Sequence, residues 1–265
     1  MYFVKVCLIK EELKKMRKIK YFIIFLVALG GFFFLFGPEV VPENFQTQEI
    51  LSLASNTDVI IIFNSGGWGN THLEKAKDFA PIIEGIQDTL EDLGYNSLVI
   101  PYKRTKNDFL GKIAGARDFF NSFKSSSKIL TEDLEILVEK TPNKKIIIAG
   151  LSAGGVLVDE TMEKISQKSK DSVYAIAVGV PFWHDNFESE NILLLDNNGK
   201  DSLAKGDTKS LISALVKAPF KWISSKLSGQ NLTFSQAFHA SGHDYLWSSP
   251  EVGLQIVSFL EDKFR

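Results

Sequence analysis

Apolar and polar residues alternate along most of the chain in blocks that predict strands and helices in turn. Six apolar runs, several of them rich in β-branched residues, are typical of buried strands. They are Val59–Phe63, Leu98–Ile100, Ile146–Ala149, Val173–Val180, Ile192–Leu195 and Leu232–Phe238.

Between these runs, apolar residues recur at helical spacing. The helical segments are Thr71–Gly94, Asp108–Phe123, Thr131–Lys140, Val156–Ser166, the insertion 202–228 and a C-terminal helix with Ser249 as N-cap and Pro250 as first residue. Thr71 and Glu74 form a capping-box pair at the start of the first helix, and Ser125–Ser127 predicts a turn. This alternation predicts an α/β fold in residues 57–265, with a mostly parallel sheet of about six strands and helices on both faces.

A different pattern precedes this body. Residues 1–20 contain seven basic and two acidic side chains, and the next 17 residues, Tyr21–Gly37, carry no charge. This layout favours a single transmembrane anchor, with the basic N-terminus in the cytoplasm and the body on the outer face. The alternatives are a cleaved signal segment, which would leave the body secreted, and a core helix. Residues 38–56 predict a linker, and Met16 is an alternative translation start.

Composition narrows the classes of partner. Outside residues 1–20 the chain contains 23 basic and 30 acidic side chains. An acidic body lacks the basic face that nucleic acid requires, so nucleic acid is excluded as a partner. Cys7 is the only cysteine, so no disulfide forms within the chain. No metal-ligand cluster or cofactor motif is present, and we expect neither a metal nor a cofactor.

One short motif carries chemistry. Gly150-Leu151-Ser152-Ala153-Gly154 fits G-x-S-x-G, with a predicted strand before it and a predicted helix after it. The glycines permit a turn sharp enough to expose a serine nucleophile. A phosphate-binding loop is excluded, because neither nucleotide-binding glycine pattern occurs at this turn.

With these residues in place, the chain resembles the α/β-hydrolase superfamily over residues 57–265. The resemblance implies a catalytic triad in the order serine, acid, histidine, with Ser152 as nucleophile. It places the base in the loop before the C-terminal helix, where His243 follows Gly242 and His239 is the reserve.

The acid is less sharply defined by the resemblance. It implies an acid a few residues beyond a strand, in a glycine-containing turn. Asp201, followed by Ser202 and Leu203, fits this better than Asp196, and Asp207 is a third alternative.

The resemblance also implies backbone donors for an oxyanion. One is the N–H of Ala153, directly after the nucleophile, and the other is Gly66 or Gly67 in the loop after the first strand. The family often has His-Gly in that loop, whereas this chain has Asn64-Ser65 before the glycines. The choice between Gly66 and Gly67 stays open, and a plain glycine loop is the alternative.

Taken together, the residues predict an esterase-like or lipase-like serine hydrolase. It would cleave a small-molecule or lipid carboxylic ester through an acyl-enzyme intermediate, with water as the second substrate. A thioesterase or amidase, and a non-catalytic membrane-anchored binding protein of the same fold, are the alternatives. The insertion either packs on the sheet or, through Lys217, Lys221 and Lys226, forms a lid that rests on a bilayer.

Overall fold

The structure is a computed structural model in which contacts divide the chain into two units, Met1–Glu39 and Val40–Arg265. The described residues are 31, 47–67, 69–77, 79–106, 108–230, 232 and 240–265. The expected membrane segment Tyr21–Gly37 lies outside them, apart from Gly31. Within the described ranges, no helix has both the length and the apolar character that a membrane crossing requires.

Strands and helices alternate along the second unit, as the sequence predicts. The strands are β1 (Val59–Asn64), β2 (Ser97–Pro101), β3 (Lys145–Leu151), β4 (Val173–Val178) and β5 (Ile192–Leu195). The helices are α1 (Thr47–Leu53), α2 (Ala80–Asp92), α3 (Phe109–Phe120), α4 (Lys124–Lys140), α5 (Ala153–Lys164), α6 (Gln167–Lys170), α7 (Ser202–Lys205), α8 (Thr208–Leu227) and α9 (Gly253–Phe264). Short 3-10 helices cover Ala54–Asn56 and Leu73–Lys75.

The five strands form one sheet in the order β2-β1-β3-β4-β5, and every pairing is parallel. The prediction of a mostly parallel sheet is confirmed. The expected sixth strand falls on 232–238, where Leu232 belongs to no strand and the other residues lie outside the described part. Because all five strands run the same way, their carboxyl ends share one edge, and the order reverses between β1 and β3.

Helices cover both faces of the sheet. On one face Ile60 and Ile148 pack with Leu134 of α4 and Leu157 of α5. On the other face their strand neighbours, such as Ile61, pack with residues of α2 and α9 that include Ile83 and Ile256. Successive strand residues point to opposite faces, so burial on both sides requires the continuous apolar runs seen in the sequence.

The predicted start of the first helix is wrong. Thr71 and Glu74 form no capping box, because Leu73–Lys75 is a separate 3-10 turn and α2 begins at Ala80. Pro81 explains this start, since proline fits the first turn of a helix and disrupts its interior.

Two further helix starts differ from expectation. Ser125–Ser127 lie inside α4, and the bend before it occurs at Ser122 and Phe123, whose φ angles are 53° and 54°. The C-terminal helix begins at Gly253 rather than at Pro250, and the N–H groups of Val252 and Gly253 both donate to the carbonyl of Ser249 in the turn before it.

The boundaries of the body and the insertion also change. Residues 47–56, expected in a linker, form α1 and a 3-10 turn, and Ile50 and Ala54 are buried in the core. Their apolar side chains therefore extend the folded body toward the N-terminus. The insertion 202–228 is two helices, α7 and α8, separated at Gly206, which has a φ of 75°.

Candidate active site

Ser152 occupies a strained turn between β3 and α5. Its backbone has φ 54° and ψ −114°, a combination that costs a non-glycine residue about 1–3 kcal/mol. The N–H of Ser152 donates to the carbonyl of Val178 at 2.7 Å, which ties the turn to the end of β4. The side chain is half-buried at the carboxyl edge of the sheet. Strain at such a position is a feature of functional sites.

The glycines of the motif are required by close backbone contacts. A Cβ atom on Gly150 would lie 2.2 Å from the carbonyl oxygen of Gly154. A Cβ atom on Gly154 would lie 2.3 Å from the carbonyl oxygen of Asn64 at the end of β1. Side chains at these positions would force the turn apart. The sharp turn and its approach to β1 therefore depend on both glycines.

An acid–base pair lies at the same edge of the sheet. His243 Nδ1 and Asp201 Oδ2 are 2.7 Å apart, and Asp201 is completely buried whereas the His243 side chain keeps 19% exposure. The hydroxyl of Tyr245 donates to the same oxygen, Asp201 Oδ2, at 2.6 Å. The backbone N–H of Leu203 donates to Oδ1 at 2.8 Å, so Asp201 is also the N-cap of α7.

These donors keep Asp201 ionised. Burial by itself would raise the pKa of Asp201, but the hydrogen bond and charge of His243, with the donors Tyr245 and Leu203, lower that pKa below its ordinary value. Burial and the adjacent carboxylate raise the pKa of Tyr245, which keeps its proton to donate. A buried carboxylate at Nδ1 fixes the orientation and tautomer of an imidazole.

Gly179 links the pair to the serine turn. It directly follows Val178, whose carbonyl binds the N–H of Ser152. A Cβ atom on Gly179 would lie 2.7 Å from His243 Cε1 and 2.9 Å from Tyr245 Cε2. The imidazole therefore packs against the end of β4, one residue beyond the bond that holds Ser152.

The glycine loop after β1 lies beside Ser152. A Cβ atom on Gly66 would lie 3.2 Å from the carbonyl oxygen of Leu151 and 3.9 Å from Ser152 Cβ. Gly67 has a φ of 57°, and the N–H of Gly69 closes a turn onto the Gly66 carbonyl at 3.2 Å. Ala153 is the first residue of α5, where backbone N–H groups have no acceptor within the helix. The structure thus brings Gly66, Ser152 and Ala153 together.

Sequence reasoning missed Arg104, which joins these two segments. Its side chain is 1% exposed and donates to the carbonyls of Ala153 at 2.8 Å, Ser65 at 2.9 Å and Gly67 at 2.9 Å. Burial lowers the pKa of Arg104 to about 10, against the opposing effect of the nearby Asp118 carboxylate, so the guanidinium stays charged at neutral pH. An arginine four residues past the predicted strand Leu98–Ile100 carries no sequence signal that separates it from a surface arginine.

Of the other candidates within the described residues, neither the Asp196 nor the Asp207 carboxylate forms a hydrogen bond with His243. Asp196 is exposed directly after β5, and Asp207 caps α8 through the N–H groups of Lys209 and Ser210. His239 lies outside the described residues. Asp201 is therefore the acid that the structure pairs with His243.

A second buried histidine–carboxylate pair joins the loop after β4 to α5. His184 Nε2 and Asp159 Oδ2 are 2.7 Å apart, and the backbone N–H of Phe187 donates to the same carboxylate. Asp159 lies in the second turn of α5. The pair thus fastens the loop between β4 and β5 to the helix that follows Ser152.

Comparison with known proteins finds likenesses among solved structures. No family model matches the chain, and no curated protein matches it in sequence. Among solved structures, the chain is similar to a Trichoderma reesei cutinase in complex with a C11Y4 phosphonate inhibitor, at 13% sequence identity and a TM-score of 0.45. The alignment covers 83% of this chain and 85% of the cutinase chain.

Proposed function

We propose that the chain is a serine hydrolase that cleaves carboxylic esters, with Ser152 as nucleophile, His243 as base and Asp201 as the orienting acid. The observation that carries this proposal is the position of the Asp201–His243 pair. His243 packs against Gly179 at the end of β4, and the carbonyl of the preceding residue, Val178, accepts the N–H of the strained Ser152 turn. Both features belong to one edge of one sheet, where ligands bind in folds of this kind.

The reaction follows from these positions. Asp201 holds His243 through Nδ1. His243 takes the hydroxyl proton of Ser152 while the Ser152 oxygen forms a bond to the ester carbonyl carbon. The N–H groups of Ala153 and Gly66 stabilise the resulting oxyanion, and each donor lowers the activation free energy by about 3–4 kcal/mol. Collapse of this intermediate breaks the ester bond, and the alcohol leaves with the proton from His243. Water, activated by His243, then hydrolyses the acyl-enzyme and releases the acid.

Ester turnover tests the proposal. The full chain in detergent is assayed on p-nitrophenyl esters from acetate to palmitate, beside Ser152→Ala and His243→Ala. We expect turnover that falls by about 10³-fold or more in each variant. Wild-type protein that is folded but inactive on every ester would contradict the proposal, as would unchanged activity in His243→Ala. Thioester and anilide substrates in parallel separate the thioesterase and amidase alternatives.

The same proposal includes a membrane anchor. Seventeen uncharged residues, Tyr21–Gly37, follow a basic cluster and fit a single span with the hydrolase body on the outer face. Alkaline carbonate extraction of membranes from cells that express the full chain should leave it in the pellet. Release into the supernatant would contradict the anchor, and N-terminal sequencing of released protein would identify a cleaved signal.

A further inference from the structure

Helix α8 has an exposed apolar face. Ala218 and Ser225 are buried and mark the side that faces the body. Five large apolar side chains, spaced four, four, three and four residues apart, lie on another face and form what we call the apolar stripe. They are Ile212 (62% exposed), Val216 (59%), Phe220 (72%), Ile223 (50%) and Leu227 (85%).

A basic groove runs beside this stripe. Lys209, Lys217 and Lys221 line a cavity of about 360 Å³, together with small residues of α8 and Ser241. The helix carries four lysines and no acidic residue. Ser241 stands two residues before His243, so the groove opens next to the loop that carries the proposed base.

We propose that the apolar stripe and the basic groove of α8 bind the surface of an anionic phospholipid bilayer. The apolar side chains would enter the boundary between headgroups and acyl chains, and the lysines would contact lipid phosphates. Charge favours this occupant, because α8 carries four lysines and no acidic residue, and positive charge attracts an anionic surface. The proposal does not depend on catalysis by Ser152.

Fluorescence from a label at residue 216 tests the surface. The full chain with Cys7→Ser and Val216→Cys carries the environment-sensitive dye NBD and is placed, one chain per disc, in nanodiscs of phosphatidylcholine with or without phosphatidylglycerol. We expect a blue shift and higher intensity in the anionic discs. The control is Leu254→Cys on α9, which is 66% exposed and should keep the spectrum of a water-exposed dye.

The lysines are tested in the same discs. Replacing Lys209, Lys217 and Lys221 by glutamine should remove the difference between anionic and neutral discs for the label at residue 216. The proposal is overturned if that label is as water-exposed in anionic discs as the label at residue 254. It is also overturned if the lysine variant keeps the full anionic response, since the charge argument then fails.

A second inference concerns Arg104 and rests on the proposed hydrolase activity. The carbonyl of Ser65 and the N–H of Gly66 belong to one trans peptide group, in which they point in opposite directions. Arg104 holds the Ser65 carbonyl at 2.9 Å, so the Gly66 N–H is turned away from Arg104. The same guanidinium holds the carbonyl of Ala153 at 2.8 Å, next to the nucleophile.

We infer that Arg104 is a positioning residue that aims the Gly66 N–H at the oxyanion of the proposed reaction. A Cβ atom on Gly69 would lie 2.0 Å from Arg104 Nε, so the loop encloses the guanidinium closely. This arrangement selects Gly66 as the donor from the pair that the sequence left open. Removal of the guanidinium would lower the rate of the chemical step and leave substrate affinity unchanged.

Arg104→Lys and Arg104→Met test this role, with Arg117→Met on α3 as the control. Rates are taken below each melting temperature and divided by the concentration of active sites titrated from the burst of product. We expect kcat to fall about 10- to 100-fold in both Arg104 variants, with KM within about threefold of wild type. A loss that vanishes after titration would show a merely structural role and overturn the inference. Wild-type inactivity would instead refute the proposed hydrolase.

Discussion

At the scale of single residues, Asp201 is the point where several elements meet. It accepts hydrogen bonds from His243 and Tyr245 and from the backbone of α7, and it has no exposed surface. Ser152 and His243 stand out in the sequence as candidates because a motif and an order along the chain mark them, whereas the candidate acid was a choice among Asp201, Asp196 and Asp207. Tyr245 and Arg104 do not stand out in the sequence, because their partners lie far away in sequence and only the fold brings them close.

Replacement of Asp201 by asparagine tests the charge at this point. The pKa of Asp201 is lower in the folded chain than its ordinary value, so the carboxylate stabilises folding above about pH 4 and this stabilisation is lost as the pH falls further. The melting temperature of Asp201→Asn, measured by circular dichroism, should therefore lie well below that of wild type at pH 7. This difference in melting temperature should become smaller toward pH 3. Ester turnover should fall by about 10⁴-fold. A difference in melting temperature that stays constant with pH would contradict a buried, ionised carboxylate at Asp201.

At the scale of elements, the turn from β3 into α5 determines the site. The apolar runs predicted the strands well, because burial on both faces leaves a continuous signal. Helix starts were predicted less well, since Thr71 and Glu74 satisfy a capping pattern that Pro81 overrides, and since serines favour turns yet lie inside α4. Several neighbouring residues can begin a helix at similar free energy, and tertiary packing determines which of them does.

A pair of alanine substitutions tests the turn. A Cβ atom on Gly154 would lie 2.3 Å from the backbone oxygen of Asn64, whereas on Gly155 its closest contact would be 3.1 Å, with the carbonyl oxygen of Val178. We expect Gly154→Ala to lower the free energy of unfolding by about 1–3 kcal/mol or more and to reduce ester turnover strongly. Gly155→Ala should cost less in both respects. Urea denaturation and kcat measure the two effects, and equal losses would argue against steric control by the β1 contact.

At the scale of the whole described fold, strand order determines which loops lie next to each other at the candidate site. Because β1 and β3 are neighbours where the order reverses, the Gly66 loop and the Ser152 turn lie side by side. The sequence predicts parallel strands but not their order, since each apolar run could pair with any other. Only the structure shows the strand order. The contacts of Arg104 with the Gly66 loop and the Ser152 turn follow from that order.

A covalent probe tests the central claim, that Ser152 is an activated nucleophile. Full-length protein is treated with a fluorophosphonate, and the modified peptide is located by mass spectrometry. We expect one label, on Ser152, that is lost in Ser152→Ala and kept in Ser241→Ala, an exposed serine near the proposed base. Folded wild-type protein that takes up no probe, or a label that persists in Ser152→Ala, would contradict the account.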